Sequence, residues 1–288
     1  MNEYRDVYKK KLLETFDAFD SFCQKNDIKY FAAYGTLIGT VRHQGLIPWD
    51  DDIDVYMSRS DYERFCSFKG KVDGHYDIMD INNENYWLLS LAKFVDTNTT
   101  LWEFEHFPLI LGVYIDVFPL DETDSDEKLT EKENYDRLSL RITRAMKKPS
   151  LNQYVKSLVH PRRLLNYLVD VLYYRPQLNR LMKEYTDCVA RIKANKGSFL
   201  VSYEGPYGVG EIMPKEWFLN SVKMSFEGRL IQVPSKYDEI LKRIYGDYMK
   251  LPPVEKRVSH HSHFFVNLNK GMSLNEVKMA MHGKKFQQ

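Results

Sequence analysis

Four carboxylates fall within five positions at Asp50-Asp51-Asp52-Ile53-Asp54, between Pro48-Trp49 and Val55-Tyr56-Met57. Such a run repels itself unless a cation sits among its members, and a bound divalent metal is the simplest resolution. If residues 52–57 form a strand, side chains two apart share one face at a Cα separation of about 6.6 Å, so Asp52 and Asp54 project together while Ile53 and Val55 enter the core. Carboxylate oxygen suits magnesium or manganese, and magnesium commonly adds substrate phosphates to its shell. Two plainer readings compete. A solvated acidic loop accounts for most aspartate runs. A calcium loop of the EF-hand kind matches Asp50, Asp52 and Asp54 as first, third and fifth positions. Its sixth position, however, requires glycine and is Val55, and its twelfth wants glutamate and is Asp61.

Upstream, the apolar run Tyr30-Phe31-Ala32-Ala33-Tyr34 leads into Gly35-Thr36 and then Leu37-Ile38-Gly39-Thr40-Val41. This reads as strand, glycine turn and helix start. Glycine lets the backbone approach a ligand closely, Thr36 can cap the helix, and the free N–H groups of a helix start attract phosphate. A Gly-Thr pair alone is weak evidence. With Asp52-x-Asp54 beginning sixteen residues after Thr36, it becomes a phosphate cradle facing a metal clamp. Asp116 is the other acid that demands a partner, because it lies in the apolar run Leu109 to Leu120. An unpaired ionised carboxylate buried there would cost several kcal/mol. It serves a function, caps a turn or pairs with a lysine.

The elements that must hold these groups are an amphipathic helix over 4–25, strands near 28–34, 52–57, 76–81, 88–95 and 110–118, and a helix opened by Ser60 with Glu63 at the capping-box position. Long helices fill about 124–195, broken at Pro149, Pro161 and Pro176, and a helix near 235–245 follows short elements around Trp217 and 226–233. At 288 residues and 43% apolar content the chain can bury a sizeable core. No apolar run approaches the ~18 residues of a transmembrane helix, and Met1-Asn2-Glu3-Tyr4-Arg5-Asp6 lacks the apolar stretch of a secretory signal. Cys23, Cys66 and Cys188 show no paired spacing, which favours a reducing compartment and disfavours zinc. A cytoplasmic protein is expected.

A net charge of +1 conceals an asymmetry. Residues 121–136 carry eight acids against Lys128 and Lys132, whereas residues 137–180 carry ten Lys or Arg against Asp170 alone. In the basic part Leu158, Val159, Leu164, Leu165, Leu168, Val169 and Leu172 recur at near-helical spacing beside Arg162 and Arg163. This pattern fits either the core side of a helical layer, which is the favoured reading, or a helix lying on a membrane surface. No nucleic-acid recognition module is evident.

The run from Tyr34 through Gly35-Thr36, Arg42-His43, Pro48-Trp49 and Asp50 to Val55 resembles the signature of the LicD family, bacterial phosphocholine transferases related to the fukutin-related proteins. Lys93-Phe94-Val95-Asp96 with Thr99, Tyr114 to Asp121, and Tyr245-Gly246-Asp247-Tyr248 with Pro252 agree with it. The resemblance implies an α+β fold, with a nucleotidyltransferase-like mixed β-sheet core, flanking helices and a helical insertion. Three regions are expected: a catalytic core over 1–123, a basic helical insertion over 124–200 and a C-terminal segment over 201–288 that completes the active-site region.

It also implies a metal-dependent phosphotransferase that moves phosphocholine, or a similar phospho-alcohol, from a CDP-linked donor such as CDP-choline to a sugar hydroxyl. The acceptor would be a cell-surface glycan or a lipid-linked precursor, with CMP released. Teichoic acid, lipopolysaccharide and capsule are the acceptor classes, and peripheral membrane contact is compatible. Asp116 becomes the third acid beside Asp52 and Asp54, together holding Mg2+ or Mn2+. Gly35 and Thr36 would meet the diphosphate, Arg42, His43 and Lys93 would contact phosphate, and Arg257 and His260 would close over the nucleotide. A quaternary ammonium needs an aromatic face, for which Trp49, Trp87, Trp102 and Tyr114 are available, each also suited to the core. The His260-His261-Ser262-His263 cluster reads as a surface loop. A nucleotidyltransferase that releases pyrophosphate from an NTP, and a non-catalytic glycan-binding protein, remain the alternatives.

Overall fold

The computed structural model describes residues 2–80, 91–105, 107–124, 129–147, 155, 160–259 and 263–284. In chain order its main elements are α1 (Asn2–Lys25), β1 (Phe31–Ala32), α2 (Tyr34–His43), β2 (Asp54–Ser58), α3 (Arg59–Cys66), β3 (Tyr76–Met79), β4 (Ala92–Trp102) and β5 (Leu111–Thr123). There follow α4 (Leu129–Met146), α5 (Pro161–Val169), α6 (Leu178–Ala194), β6 (Phe199–Val201), β7 (Ile212–Pro214), β8 (Ser221–Phe226), β9 (Arg229–Pro234), α7 (Tyr237–Tyr245), β10 (Phe265–Asn267) and α8 (Leu274–Lys284). The fold is α+β, as expected: a mixed sheet with flanking helices.

Strands β1, β2, β5, β4 and β10 lie side by side in that order. β2 and β5 run parallel, and the other pairings along this path are antiparallel. β5 is apolar almost throughout because it is central and covered, and eleven of its first residues from Leu111 to Asp121 are buried. Helix α1 supplies part of that cover through Leu12, Phe16, Phe19 and Cys23, all buried at helical spacing. Phe19 meets Phe94, Phe65 and Tyr30 edge-on at ring separations of 5.7, 6.0 and 5.0 Å, the geometry aromatic quadrupoles prefer.

Several boundaries differ from expectation. β1 stops after two residues, because Tyr34 takes φ 41° and already begins α2. Ser58, not Ser60, caps α3, accepting the Asp61 N–H at 3.2 Å. Glu63 reaches Lys193 at 2.7 Å instead. β4 and β5 continue past their expected ends around an irregularity between Asp96 and Leu101, held where the Thr99 hydroxyl bonds the Asp96 carbonyl and accepts the Val113 N–H. Gly112 is obligatory there, since a Cβ would lie 1.8 Å from the Asp96 carbonyl oxygen.

Helices α4 and α6 build a second apolar cluster from Tyr135, Leu138, Ile142 and Ala145 against Leu181, Tyr185, Cys188 and Ile192. Pro161 sits in the first turn of α5, where its missing N–H costs nothing, and Pro176 falls in a 3-10 turn. Pro149, Leu158 and Val159 lie outside the described residues. The apolar residues of α5 do not form a buried core side of this layer: Leu164 and Val169 are half-buried, Leu165 and Leu168 are exposed, and no α5 residue is buried. Beyond it, Phe226, Ile231, Val233, Ile240 and Leu241 join the main core, so the C-terminal segment is integral to the sheet's surroundings. Among the described residues no helix is long and apolar enough to cross a membrane, and all three cysteines are free thiols.

Where the second cluster meets the sheet, Glu204 is half-buried, with its carboxylate Oε2 shielded from solvent. Tyr135 donates to its Oε1 at 3.0 Å, while Oε2 has no hydrogen-bond partner among the described residues. Burial pushes its carboxyl up to about 7, with Arg59 opposing. A folded-state value raised above 4.5 gives stability that is complete at low pH and lost as pH rises to about 7. At about 1.4 kcal/mol per pH unit, the wild type is expected to lose on the order of 3 kcal/mol through Glu204 over that interval. Glu204→Gln should flatten this part of the stability profile, measured by urea unfolding at pH 5 and pH 8.

Candidate active site

The strand register aligns the chemistry. Asp54 opens β2 directly opposite Asp116 of β5, and Asp116 lies opposite Lys93 of β4. Three adjacent strands thus present two acids and a lysine in one row, all buried. The Lys93 ammonium donates to Asp116 Oδ1 and lies 3.6 Å from the centre of the Tyr114 ring. Asp116 therefore has a lysine partner, one of the plainer readings of its burial, and it also belongs to an acidic cluster. Carboxylate oxygens of Asp52, Asp54 and Asp116 all lie within 4.8 Å of one another, as do those of Asp50, Asp51 and Asp52.

The cluster resists ionisation without a cation. Burial, then Asp52, Asp116 and Asp50, raise the Asp54 carboxyl well above its ordinary range, with Lys93 opposing. Asp116 is also raised by burial, against Lys93, with Asp52 and Glu103 contributing. Lys93 offsets one of the three negative charges, and the two that remain match a divalent ion of the hard, oxygen-preferring kind. The donor set therefore fits magnesium or manganese.

Asp52 is not on the strand as its spacing suggested, because β2 begins at Asp54; the preceding loop brings it to the cluster. That loop is tethered where Asp50 N–H bonds the Ile47 carbonyl at 2.9 Å and Ser259 donates to Asp51 at 2.7 Å. Thr36 does not cap α2. The capping position is Ala33, without a side-chain bond, and the Thr36 hydroxyl accepts the Asp54 N–H at 2.9 Å, tying the helix to the strand. The first intrahelical bond from this turn is Leu37 N–H to Ala33, so the Gly35 and Thr36 N–H groups have no partner within the helix. Any Cβ at position 35 would lie 2.4 Å from Asp50 Oδ2. Gly35→Ala is thus expected to displace that carboxylate and, since ångström misplacements commonly cost about 100-fold, to reduce turnover by that order while leaving thermal unfolding unchanged.

A cationic group forms around Trp49. Arg257 places its guanidinium 5.5 Å from the Trp49 ring centre, and His43 lies edge-on to the same ring at 6.3 Å. Arg42 donates to the Tyr248 carbonyl at 2.5 Å, and Arg257 to the Pro252 carbonyl at 2.9 Å. Burial and the charge of Arg257 lower the pKa of Arg42, and burial and Arg42 lower that of His43. Two mutually repelling guanidiniums anchored on carbonyl oxygens suit an anion between them. His260 and Trp87 lie outside the described residues. Trp102 is buried, donating to the Phe107 carbonyl, and Tyr114 is buried beneath Lys93, so neither offers an open aromatic face.

Sequence reasoning missed three neighbours. Glu103 accepts from the Tyr114 hydroxyl, Tyr8 of α1 has its ionisation disfavoured by burial and then by Asp51, and Ser259 tethers Asp51. No local motif marks them, because each arrives from a distant segment.

Residues 27–161 match the family model LicD/FKTN/FKRP, nucleotidyltransferase domain, a span that includes Asp52, Asp54, Lys93 and Asp116. The lipopolysaccharide cholinephosphotransferase LicD of Haemophilus influenzae is 32% identical over 259 residues, covering 86% of this chain and 92% of that protein. An uncharacterized protein of Rickettsia typhi is 54% identical over 41 residues, 14% of this chain and 13% of that one. An uncharacterized protein of Rickettsia prowazekii is 57% identical over 37 residues, 13% and 14% respectively. Similarity along nearly the whole length of the Haemophilus protein, with the carboxylate row inside the matched domain, means that this chain belongs to the LicD family.

Proposed function

We propose that the protein is a transferase moving phosphocholine from CDP-choline, or a related CDP-alcohol, to a sugar hydroxyl of a cell-surface glycan precursor, with release of CMP. The observation that carries this reading is the row of Asp54, Asp116 and Lys93 with Asp52 beside it, in a chain resembling a lipopolysaccharide cholinephosphotransferase. The acceptor oxygen forms a bond to the phosphorus bearing choline as the bond from that phosphorus to the CMP oxygen breaks. The hydroxyl proton passes to Asp116, a carboxylate that can also orient the attacking oxygen by accepting its hydrogen bond.

Lys93 holds Asp116 in place through its ammonium. Gly35 and Thr36 offer backbone N–H groups to the diphosphate, and Arg42, His43 and Arg257 offer positive charge to it beside Trp49. Mg2+ or Mn2+ bound by Asp52, Asp54 and Asp116 would neutralise charge on the phosphoryl oxygens and the departing CMP. The three free thiols support a reducing, cytoplasmic setting. Incubation with CDP-choline, CTP or ATP, a glycan acceptor and Mg2+ tests the assignment. CMP from CDP-choline is expected; pyrophosphate from a nucleoside triphosphate would make the protein a nucleotidyltransferase instead.

A further inference from the structure

Helix α5 carries apolar side chains on both sides, one half-covered by the protein and one left facing outward. The side toward the body of the protein is mixed: Leu164, Tyr167, Val169, Val171 and Tyr174 are half-buried, and among them Asp170, directly after α5, pairs with Arg144 at 2.6 Å and Lys147 at 3.9 Å, with Arg144 4.4 Å from the Tyr174 ring centre. The outward side carries Leu165 and Leu168 of α5 and Leu172 of the π-helical turn that continues it over Asp170–Tyr174, spaced three and four apart and therefore in one stripe. They are 62%, 40% and 71% exposed, with Tyr173 60% exposed beside them. No residue from Pro161 to Gln177 is buried. A helix placed only to complete the core would carry polar side chains where this outward stripe stands.

The surroundings of this stripe are basic. Arg162, Arg163 and Arg175 are exposed and enter none of the ion pairs among the described residues, and Asp170, the one acid of the segment, is already doubly paired. A second copy of this chain docked about a two-fold axis would set arginines against arginines, because such an interface apposes a patch to itself. A surface of phosphate groups over hydrocarbon complements both features at once.

We infer that this face docks the protein peripherally on an anionic lipid bilayer. Helix α5 lies in the plane of the interface, its leucines enter the acyl boundary, and the flanking arginines meet lipid phosphates. Cosedimentation with phosphatidylcholine vesicles, with and without phosphatidylglycerol, tests this in the absence of donor and acceptor, so the result is independent of the proposed transfer reaction. Binding to the phosphatidylglycerol vesicles that weakens with added salt is expected. The triple change Leu165→Ser, Leu168→Ser and Leu172→Ser should lower partitioning by on the order of tenfold or more. It should leave the melting temperature and CMP release with a water-soluble acceptor unaltered, since the three side chains are exposed and none belongs to the carboxylate site. The inference is overturned if the wild type stays in the supernatant, if the triple variant partitions like the wild type, or if light scattering finds a dimer that the triple change dissociates.

Discussion

Asp54→Asn is expected to reduce CMP release from CDP-choline by about 1,000-fold, the scale of losing one preorganised group at a phosphoryl or acyl transfer centre, while the protein stays folded. The substitution removes one negative charge from the cluster and nothing from the backbone: the Asp54 N–H still donates to Thr36, and the Asp54 carbonyl still accepts from Ala33 at 3.0 Å. Because burial and three neighbouring aspartates disfavour the ionised form of Asp54, the neutral amide should raise the melting temperature of the metal-free protein. Lower activity together with higher stability separates a functional carboxylate from a structural one. Steady-state assays and calorimetry on the same preparation read both.

Lys93→Met should act in the opposite sense. Lys93 and Asp116 are both buried, and removing one member of such a pair commonly costs about 3 kcal/mol, because the other charge remains without compensation. Methionine keeps the length and apolar bulk that lie over Tyr114, so the loss is electrostatic. A divalent ion held by Asp52, Asp54 and Asp116 would replace the missing charge. The variant should therefore melt lower than the wild type in EDTA and gain more from Mn2+ than the wild type does. Equal Mn2+ shifts in the two proteins would separate Lys93 from the cation site.

Much of the site is legible in the sequence for a physical reason. Asp52 and Asp54 are close in the chain, so their mutual repulsion poses its question locally, and Asp116 stands out as an acid in an apolar run. The pairing of Asp116 with Lys93 is not local. It depends on the register between β4 and β5, which no short motif encodes. Thr36 stands out in the sequence, but its hydroxyl serves Asp54 and not the helix end, a choice decided by how β2 returns beside α2. Ser58 and Ser60 are both plausible caps, and the end of the parallel pairing of β2 with β5 at Ser58 selects between them.

The leucines of α5 show a different limit. Periodicity establishes that Leu165, Leu168 and Leu172 share a face, but not whether that face looks inward. Here Leu164, Tyr167 and Val169 take the half-buried side, with the paired Asp170 just after them, and the leucine stripe is left outside. The basic composition of residues 137–180 was the available hint that a partner other than the core takes that face.

Mass spectrometry of the acceptor glycan after incubation with CDP-choline and Mg2+ tests the central assignment most directly. The account predicts that the glycan gains one phosphocholine for each CMP released, and that the Asp54→Asn preparation yields neither product. A glycan that gains a cytidylyl group, or CMP released with the glycan unchanged, would contradict it.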